Sequence, residues 1–269
     1  MAERKRVRRR AGRTGRSQDL VAVDIGNSDI VVGRFHGERL ADFWRLSSGR
    51  MTADEAALML GYVLGRAEGV APDGAVLCSV VPSLTPAWTD ALQRVTGRVP
   101  VEISPDTAKS LKIRYHDPTA VGADRIANAV AVRALHGTPA IVVDLGTATT
   151  FDCVGKDGAY LGGAIAPGVG TSAEELFRRA ARVPRVELRP PRRALGRTTE
   201  ESLRAGVLWG AAGLVDALVR RLAKEMKGRP HVIATGGWAR IVTPECETIH
   251  AVDEGLTLKG MKILWEECT

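Results

Sequence analysis

The sequence predicts an α/β protein made of two similar halves that face each other across a cleft. Two observations lead to this fold class. An apolar strand pattern that ends in an Asp-x-Gly turn occurs twice, at Asp24-Ile25-Gly26 and at Asp144-Leu145-Gly146. In each half, short apolar strands come before most of the helical segments, and similar units of this kind pack face to face. We therefore expect domains over residues 19–135 and 136–269, after a tail at residues 1–18.

The first half reads as strands followed by helices. Alternating or continuous apolar runs of strand length, separated by Gly and Pro, predict the strands, and longer segments with helical periodicity predict the helices. The predicted strands are residues 20–25, 29–35, 39–46, 75–80 and 100–103, and the predicted helices are residues 52–68, 84–96 and 122–136.

The second half begins after Gly137-Thr138-Pro139 and repeats this order. A segment rich in Pro and Arg, residues 182–197, is predicted to be a surface loop. The run from Gly206 to Val219 contains Asp216, so we interpret it as a buried helix and not as a membrane span. The predicted strands lie near residues 140–144, 148–154, 159–161 and 231–234, and the predicted helices near residues 171–181, 200–225 and 256–266.

The charge distribution and the cysteine spacing argue against a secreted, disulfide-bonded protein and against a zinc site. Residues 1–16 hold eight Lys or Arg and one Glu, which accounts for the whole net charge of +7, so the body of the chain is neutral. The tail has no apolar segment of a secretory signal, and its composition predicts disorder. It could contact nucleic acid, although a solvated extension is the simpler interpretation. The four cysteines lack metal-ligand spacing, which favours a reducing, cytoplasmic location.

The Asp-x-Gly turns suggest a phosphate site. Glycine allows the backbone to approach a ligand closely, and the small polar side chains beside it supply hydrogen-bond donors. A carboxylate cannot bind phosphate directly, but it can hold a cation that neutralises the phosphate. One such turn is weak support, because Asp and Gly are common in turns. Two such turns at equivalent places predict a site that binds a polyphosphate from both sides.

A third glycine feature, Thr235-Gly236-Gly237, follows a short strand of the second half. It fits either a ledge for adenine or ribose, or an ordinary turn between a strand and a helix. The chain has neither a Walker loop nor a dinucleotide-binding fingerprint.

These segments together resemble the type III pantothenate kinases, a family within the actin, sugar kinase and Hsp70 superfamily. The matching segments occur in the family's order from residue 20 onward. They are DIGNS at Asp24–Ser28, GADRIANAVAV at Gly122–Val132, VVDLGTATTFD at Val142–Asp152, LGGAIAPGV at Leu161–Val169, GRTT at Gly196–Thr199 and TGG at Thr235–Gly237. The resemblance implies two ribonuclease H-like (actin-like ATPase) domains, each with a central mixed sheet flanked by helices.

The resemblance also implies an activity and its residues. The expected reaction is the transfer of the γ-phosphoryl group of ATP to the primary hydroxyl of pantothenate, the first step of coenzyme A biosynthesis. Asp124 would be the catalytic base. The expected substrate contacts are Tyr115, Gly122, Ala123, Asp124, Arg125 and Thr199. The expected nucleotide contacts are Asp24, Ile25, Gly26, Asn27, Ser28, Asp29, Ile30, Val31, Thr147, Gly236 and Gly237.

Cations and a second subunit follow from the same resemblance. Asp144 matches the family's ligand for a monovalent cation, potassium or ammonium, and the phosphoryl transfer would use Mg²⁺. In the family, the residue that corresponds to Thr199 reaches the site of a neighbouring subunit. The resemblance therefore implies a homodimer.

The chain departs from the family pattern at four positions. Ser28 replaces the usual threonine, Asp29 adds a negative charge close to the expected phosphates, and Thr198 stands where asparagine is usual. Trp238 is bulkier than expected after the glycine pair. Together these departures are compatible with an altered nucleotide affinity or with a changed substrate.

Two other functions remain open from the sequence. One is a regulator like the Bvg accessory factor, since relatives are described as transcriptional accessory factors and the basic tail could contact DNA. The other is a kinase of the same fold that acts on a different small alcohol. A regulator need not keep Asp124, Arg125 and Asp144 together, whereas this chain does.

Overall fold

We describe the fold from a computed structural model for residues 18–65, 71–180, 182–226 and 228–269. The first half contains β1 (Asp19–Ile25), β2 (Asp29–His36), β3 (Arg39–Ser47), α1 (Ala53–Val63), β4 (Gly74–Ser79), α2 (Thr85–Thr96), β5 (Val101–Glu102) and α3 (Ala123–Leu135). The predicted disorder of residues 1–18 falls, except for Gln18, outside the described residues, as does the predicted extension of α1 beyond Gly65.

The second half repeats this plan and adds helices. It contains β6 (Ala140–Leu145), β7 (Ala148–Val154), β8 (Tyr160–Pro167), α4 (Val169–Arg179), α5 (Thr199–Glu225), β9 (His231–Thr235), α6 (Ala239–Val242), β10 (Ala251–Val252) and α7 (Leu256–Cys268). Two 3-10 helices, Pro118–Ala120 and Thr243–Glu245, complete the described elements.

The two five-stranded sheets have the same topology. The strand order is β3-β2-β1-β4-β5 in the first sheet and β8-β7-β6-β9-β10 in the second. β1 pairs antiparallel with β2 and parallel with β4, while β6 pairs antiparallel with β7 and parallel with β9. Strand by strand, β1 therefore corresponds to β6, and the two Asp-x-Gly turns occupy equivalent hairpins. The duplication predicted from the sequence is confirmed.

Two helices lie between the sheets and join the halves. α3 and α7 pack against each other, and α7 also contacts β1 and β4 of the first sheet. The buried cluster around them includes Leu20 and Phe35 from one sheet and Val142 and Ile233 from the other. α3 and α7 contact each other closely through alanine and glycine residues, since a Cβ on Gly260 would lie 2.0 Å from the carbonyl oxygen of Ala127. The floor of the cleft is therefore a packed helix pair.

α5, which contains the run from Gly206 to Val219 that was predicted to be a buried helix, is buried on one face only. Its inner face, at Leu208, Ala212 and Val215, belongs to the core of the second sheet. By length and composition the helix could cross a membrane, yet only 39% of its most apolar window is buried inside the protein. Its outer face lines an apolar groove of about 490 Å³. Apolar periodicity alone could not separate the buried face of this helix from its apolar but exposed face.

Candidate active site

The two Asp-x-Gly hairpins meet at the mouth of the cleft. In the first turn, the amide of Gly26 donates to the carbonyl oxygen of Asp29 at 2.9 Å, and in the second the amide of Gly146 donates to Ala148 at 3.0 Å. The hydroxyl of Thr147 donates to Ser28 Oγ at 2.8 Å. The two turns are thus in direct contact through hydroxyl groups that are suited to bind phosphate oxygens.

Behind these turns lies an inner cavity of about 160 Å³. Asp24 reaches it from the end of β1, Asp144 from the end of β6, and Asp124 from the first turn of α3. The duplicated sheets bring the first two carboxylates together, and the interdomain helix adds the third. Residues far apart in sequence therefore form one acidic site.

Burial raises the pKa values of these carboxyl groups. Desolvation, followed by the charges of Asp124 and Asp144, raises the pKa of Asp24 from 3.8 to about 7. Desolvation and the charge of Asp124 raise the pKa of Asp144 to about 6. Desolvation also raises the pKa of Asp124, against the opposing effect of hydrogen bonds from the start of α3. The positive charges of Arg45, near Asp24 and Asp144, and of Arg125, near Asp124, partly offset these increases in pKa.

The position of Asp124 depends on the glycine before it. A Cβ on Gly122 would lie 2.5 Å from Asp124 Oδ1. That oxygen accepts a hydrogen bond from the amide of Arg125 at 2.8 Å. Glycine at residue 122 therefore lets the carboxylate fold over the positive end of α3.

Asp144 is held by the helix pair and by the glycine pair of the second half. The side-chain amide of Asn128 on α3 donates to Asp144 Oδ2 at 3.1 Å, and Asn128 Oδ1 accepts from Thr257 of α7 at 2.8 Å. Gly236 has a φ of +91°, and a Cβ there would lie 2.4 Å from Asp144 Oδ1. Gly236 is therefore required by both backbone conformation and space.

A buried ion pair anchors the start of α3 to the second sheet. Arg125 Nε donates to Asp152 Oδ1 at 2.7 Å, and its Nη2 donates to the carbonyl oxygen of Phe151 at 3.2 Å. The hydroxyl of Tyr160 donates to the same Asp152 oxygen at 3.1 Å, and the guanidinium lies 5.8 Å from the centre of its ring. Since Asp152 is fully buried, the pair fixes the helix turn that carries Asp124.

The donor set fits hard cations that share their coordination with phosphate and water. No group of three or more His, Cys, Asp or Glu within the described ranges could hold a metal ion by itself. Carboxylate and carbonyl oxygens nevertheless suit potassium and Mg²⁺, and the latter usually binds through one or two carboxylates together with substrate phosphates. The desolvated carboxylates at the two strand ends fit that pattern.

A larger outer cavity of about 1040 Å³ opens beyond the two turns. Its lining includes Ser28, Thr147, Gly237 and Trp238. The contact between Ser28 and Thr147 lies on its wall, which places the phosphate hairpins beside a space large enough for a nucleoside. The two hairpins and the two cavities together have the size and the polar groups that suit a polyphosphate.

Comparison with known proteins gives the family. The sequence model of type III pantothenate kinase matches residues 20–221. A type III pantothenate kinase of Moorella thermoacetica is 46% identical over 254 residues, covering 93% of this chain and 100% of that protein. One of Thermobifida fusca is 43% identical over 257 residues, with coverage of 93% and 100%. The chain belongs to the type III pantothenate kinase family.

Solved structures support the actin-like ATPase fold of this pantothenate kinase family member. The ethanolamine utilization protein EutJ of Carboxydothermus hydrogenoformans superimposes with a TM-score of 0.55 at 16% identity, covering 91% of this chain and 89% of that chain. The activator of the 2-hydroxyisocaproyl-CoA dehydratase of Clostridium difficile, with bound ADPNP, gives 0.54 at 14% identity, with coverage of 93% and 96%. These distant likenesses show the fold alone.

In this kinase family member, most nucleotide residues expected from the sequence surround the inner cavity. Ser28 lies on the outer cavity instead, while Ile25 and Ile30 are buried in the core beneath the first hairpin, so only their backbones could contact a ligand. Of the site residues expected from the sequence, those that line the inner cavity are Asp24, Gly26, Asn27, Asp29, Val31, Asp124, Asp144, Thr147, Gly236 and Gly237.

The expected substrate residues fall into two places. Tyr115 lies against Tyr160 with the two rings tilted and their centres 6.4 Å apart, and so extends the patch that Tyr160 forms with Arg125. Gly122 and Ala123 form the start of α3. Thr199 lies apart from them, at the start of α5, where it lines the apolar groove.

Several site residues were missed by sequence reasoning. Asn128, Asp152 and Thr257 act through contacts between elements that are remote in sequence, so no local pattern reveals them. Asp152 carried a weak signal, because a carboxylate stands inside an apolar strand. Arg45 and Glu254, which line the inner cavity, carried none.

Proposed function

We propose that this protein transfers the γ-phosphoryl group of ATP to the primary hydroxyl of pantothenate, the first step of coenzyme A biosynthesis. The observation that carries the proposal is the half-buried, desolvated Asp124 carboxylate in a cavity lined by two phosphate-type hairpins. Membership in the type III pantothenate kinase family supplies the acceptor. Asp124 takes the role of catalytic base.

The geometry supports the chemistry of the transfer. Asp124 accepts the proton of the acceptor hydroxyl as its oxygen bonds to the γ-phosphorus and the bond to the ADP oxygen breaks. The raised pKa of Asp124 brings this base closer to neutral pH, where it can take a proton late in the reaction. The Ser28 and Thr147 hydroxyls and the turn amides hold the phosphate oxygens.

Asp144 would hold a monovalent cation, and Asp24 would support Mg²⁺ on the phosphates. The cations supply positive charge where negative charge develops during the transfer. The buried, desolvated carboxylates support both assignments. A side chain at residue 236 would collide with the Asp144 carboxylate, so Gly236 allows the backbone to form the wall of the monovalent-cation site.

A second copy of the chain would complete the substrate site. Thr199 lies on an apolar groove formed by α4 and α5, with Leu176, Leu203, Val207 and Leu214 in its lining, rather than beside Asp124. An apolar groove next to a residue that the family places in the neighbouring subunit's site fits a homodimer interface. Tyr115, Gly122, Ala123 and the Arg125 turn would supply the contacts from the same subunit.

We also propose that residues 19–135 and 136–269 act as the two domains of a cytoplasmic enzyme. The chain passes from the first sheet to the second between β5 and β6, which supports this division. The four free cysteines and the use of ATP suit the cytoplasm.

An acceptor panel tests the proposed function. The purified protein is incubated with ATP, Mg²⁺ and potassium, together with pantothenate, glycerol, glucose or no acceptor, and each product is identified by mass spectrometry. Phosphopantothenate as the dominant product is expected. A phosphorylated product from another alcohol, with pantothenate untouched, would instead identify a kinase of the same fold with a different substrate.

A further inference from the structure

The inner cavity is too acidic to receive a polyphosphate unaided. Its lining includes the carboxylates of Asp24, Asp29, Asp124, Asp144 and Glu254. A nucleotide polyphosphate brings several further negative charges into this space. Among the described residues that line the cavity, one basic side chain is present, that of Arg45.

Strand geometry directs Arg45 into the cleft. It lies on β3, opposite Val31 of β2, while its neighbour Trp44 packs against the core on the other face of the sheet. Side chains alternate between the faces of a strand, so packing of Trp44 places Arg45 on the side of the ligand. Arg45 lines both the inner and the outer cavity.

The guanidinium of Arg45 bridges the two halves. Its Nη1 donates to Asp29 Oδ2 of the first hairpin at 3.1 Å. On the opposite side, a Cβ on Gly237 would lie 3.6 Å from both Cζ and Nη1 of Arg45. The group therefore lies between the first phosphate turn and the glycine pair of the second half.

The ion pair with Asp29 can be exchanged at little cost. The side chains of Arg45 and Asp29 are 39% and 45% exposed, and exposed ion pairs contribute little to stability. A planar guanidinium forms stronger, two-pronged hydrogen bonds with phosphate oxygens. A phosphate that enters the cleft would thus replace the Asp29 carboxylate as the partner of Arg45.

We propose that Arg45 binds the polyphosphate of the nucleotide and that Asp29 holds its guanidinium in the cleft until the nucleotide replaces it. The proposal rests on the proposed function only in that a nucleotide enters this cleft. Asp29, which departs from the family pattern, would then compete with the phosphate for the Arg45 guanidinium.

Binding measurements separate this role from catalysis. Calorimetric titrations with ATP, ADP and adenosine, without pantothenate, are compared for the wild type, Arg45→Gln, Arg45→Lys and Asp29→Asn. Arg39→Gln, on the same strand but absent from the lining of both cavities, is the matched control. Circular dichroism and the melting temperature confirm that each variant is folded.

Arg45→Gln is expected to weaken ATP and ADP binding at least tenfold and to leave adenosine binding unchanged, because adenosine has no phosphate. Arg45→Lys should retain part of the affinity. Asp29→Asn should bind ATP severalfold more tightly, since a competing carboxylate is removed. Arg39→Gln should bind like the wild type.

Equal losses for ATP and adenosine, or unchanged ATP binding in Arg45→Gln, would overturn the role of Arg45. Unchanged or weaker ATP binding in Asp29→Asn would overturn the exchange. A wild type that binds ATP with the expected dependence on Arg45, yet phosphorylates no pantothenate, would contradict the proposed function and leave the inference standing. A wild type that binds no nucleotide would overturn both.

Discussion

At the scale of single residues, the site is defined by carboxylates that the fold removes from water. Asp24 and Asp144 end equivalent strands and are opposed by few positive charges, so burial and mutual repulsion raise their pKa values. An arrangement that costs folding free energy persists in a protein when ligands compensate for it. Cations and a nucleotide are the ligands that would do so here.

These shifts predict how stability depends on pH. The folded protein keeps protons on Asp24 and Asp144 up to pKa values of about 7 and 6, whereas the unfolded chain releases them near 3.8. Between these limits the folded state binds more protons, so the free energy of unfolding falls as pH rises. We expect the melting temperature in a sodium buffer without nucleotide to fall from pH 5 to pH 8, and to fall less in Asp144→Asn.

Asp54→Asn is the control for this measurement, because the Asp54 side chain is 81% exposed. It should follow the wild type across the pH range. If Asp144→Asn also lost as much stability as the wild type, the buried carboxylate would not be the source of the pH dependence.

At the scale of secondary structure elements, the turn at Gly122 sets the position of the Asp124 carboxylate, the proposed catalytic base. Gly122→Ala would introduce a Cβ 2.5 Å from Asp124 Oδ1 and push the carboxylate away from the start of α3. We expect kcat to fall at least tenfold, with the melting temperature nearly unchanged because the side chain can rotate. Steady-state kinetics and thermal denaturation measure the two effects.

Gly213→Ala on α5 is the matched control, since a Cβ there meets no atom within 4 Å. It should leave kcat unchanged and stabilise the helix by about 0.5–1 kcal/mol. Equal kcat values for Gly122→Ala and the wild type would show that the position of Asp124 does not depend on Gly122.

Most of the secondary structure elements, but not all, could be predicted from the sequence. Every described strand except β10 could be predicted, because most are short apolar runs bounded by Gly, Asp or Pro, and the twin turns indicated the duplication. The strand predicted at residues 159–161 is longer in the structure, where β8 continues to Pro167. Residues 162–167 lack a strand pattern, and they are in a strand because β7 pairs with β8 along its whole length. β10 and α6 are too short to leave a periodic signal.

The candidate site could be predicted where its residues sit in local motifs, as at Asp24, Asp124 and Asp144. It could not be predicted where a contact joins remote elements. The link from Thr257 through Asn128 to Asp144 spans two helices and a strand, and the position of Arg45 depends on which face of β3 packs inward. Such contacts arise from tertiary packing, which single-sequence patterns do not record.

At the scale of the whole molecule, the separation of Thr199 from Asp124 predicts a site shared between subunits. Asp124→Asn and Thr199→Ala are each expected to lower activity. When the two variants are mixed and allowed to exchange subunits, each mixed dimer regains one site with Asp124 from one chain and Thr199 from the other. The recovered activity, measured by ADP release, should reach up to about a quarter of the wild-type value, because half of the dimers are mixed and each has one intact site.

Sedimentation velocity of the same samples checks that dimers form. Asp124→Asn mixed with wild type provides the control for dilution and exchange. If the mixture of the two variants stayed as inactive as its components while dimers exchanged freely, both residues would act within one chain.

Asp124 is proposed to act as the base in phosphoryl transfer to pantothenate, in a cleft whose carboxylates need cations. The most direct test measures ADP release from ATP and Mg²⁺, with and without pantothenate, in potassium and in sodium, for the wild type and Asp124→Asn. We predict pantothenate-dependent release that requires potassium and falls by about a hundred- to ten-thousand-fold in the variant. ADP release that does not depend on pantothenate would contradict the proposed acceptor, and release that survives in a folded Asp124→Asn protein would contradict Asp124 as the base.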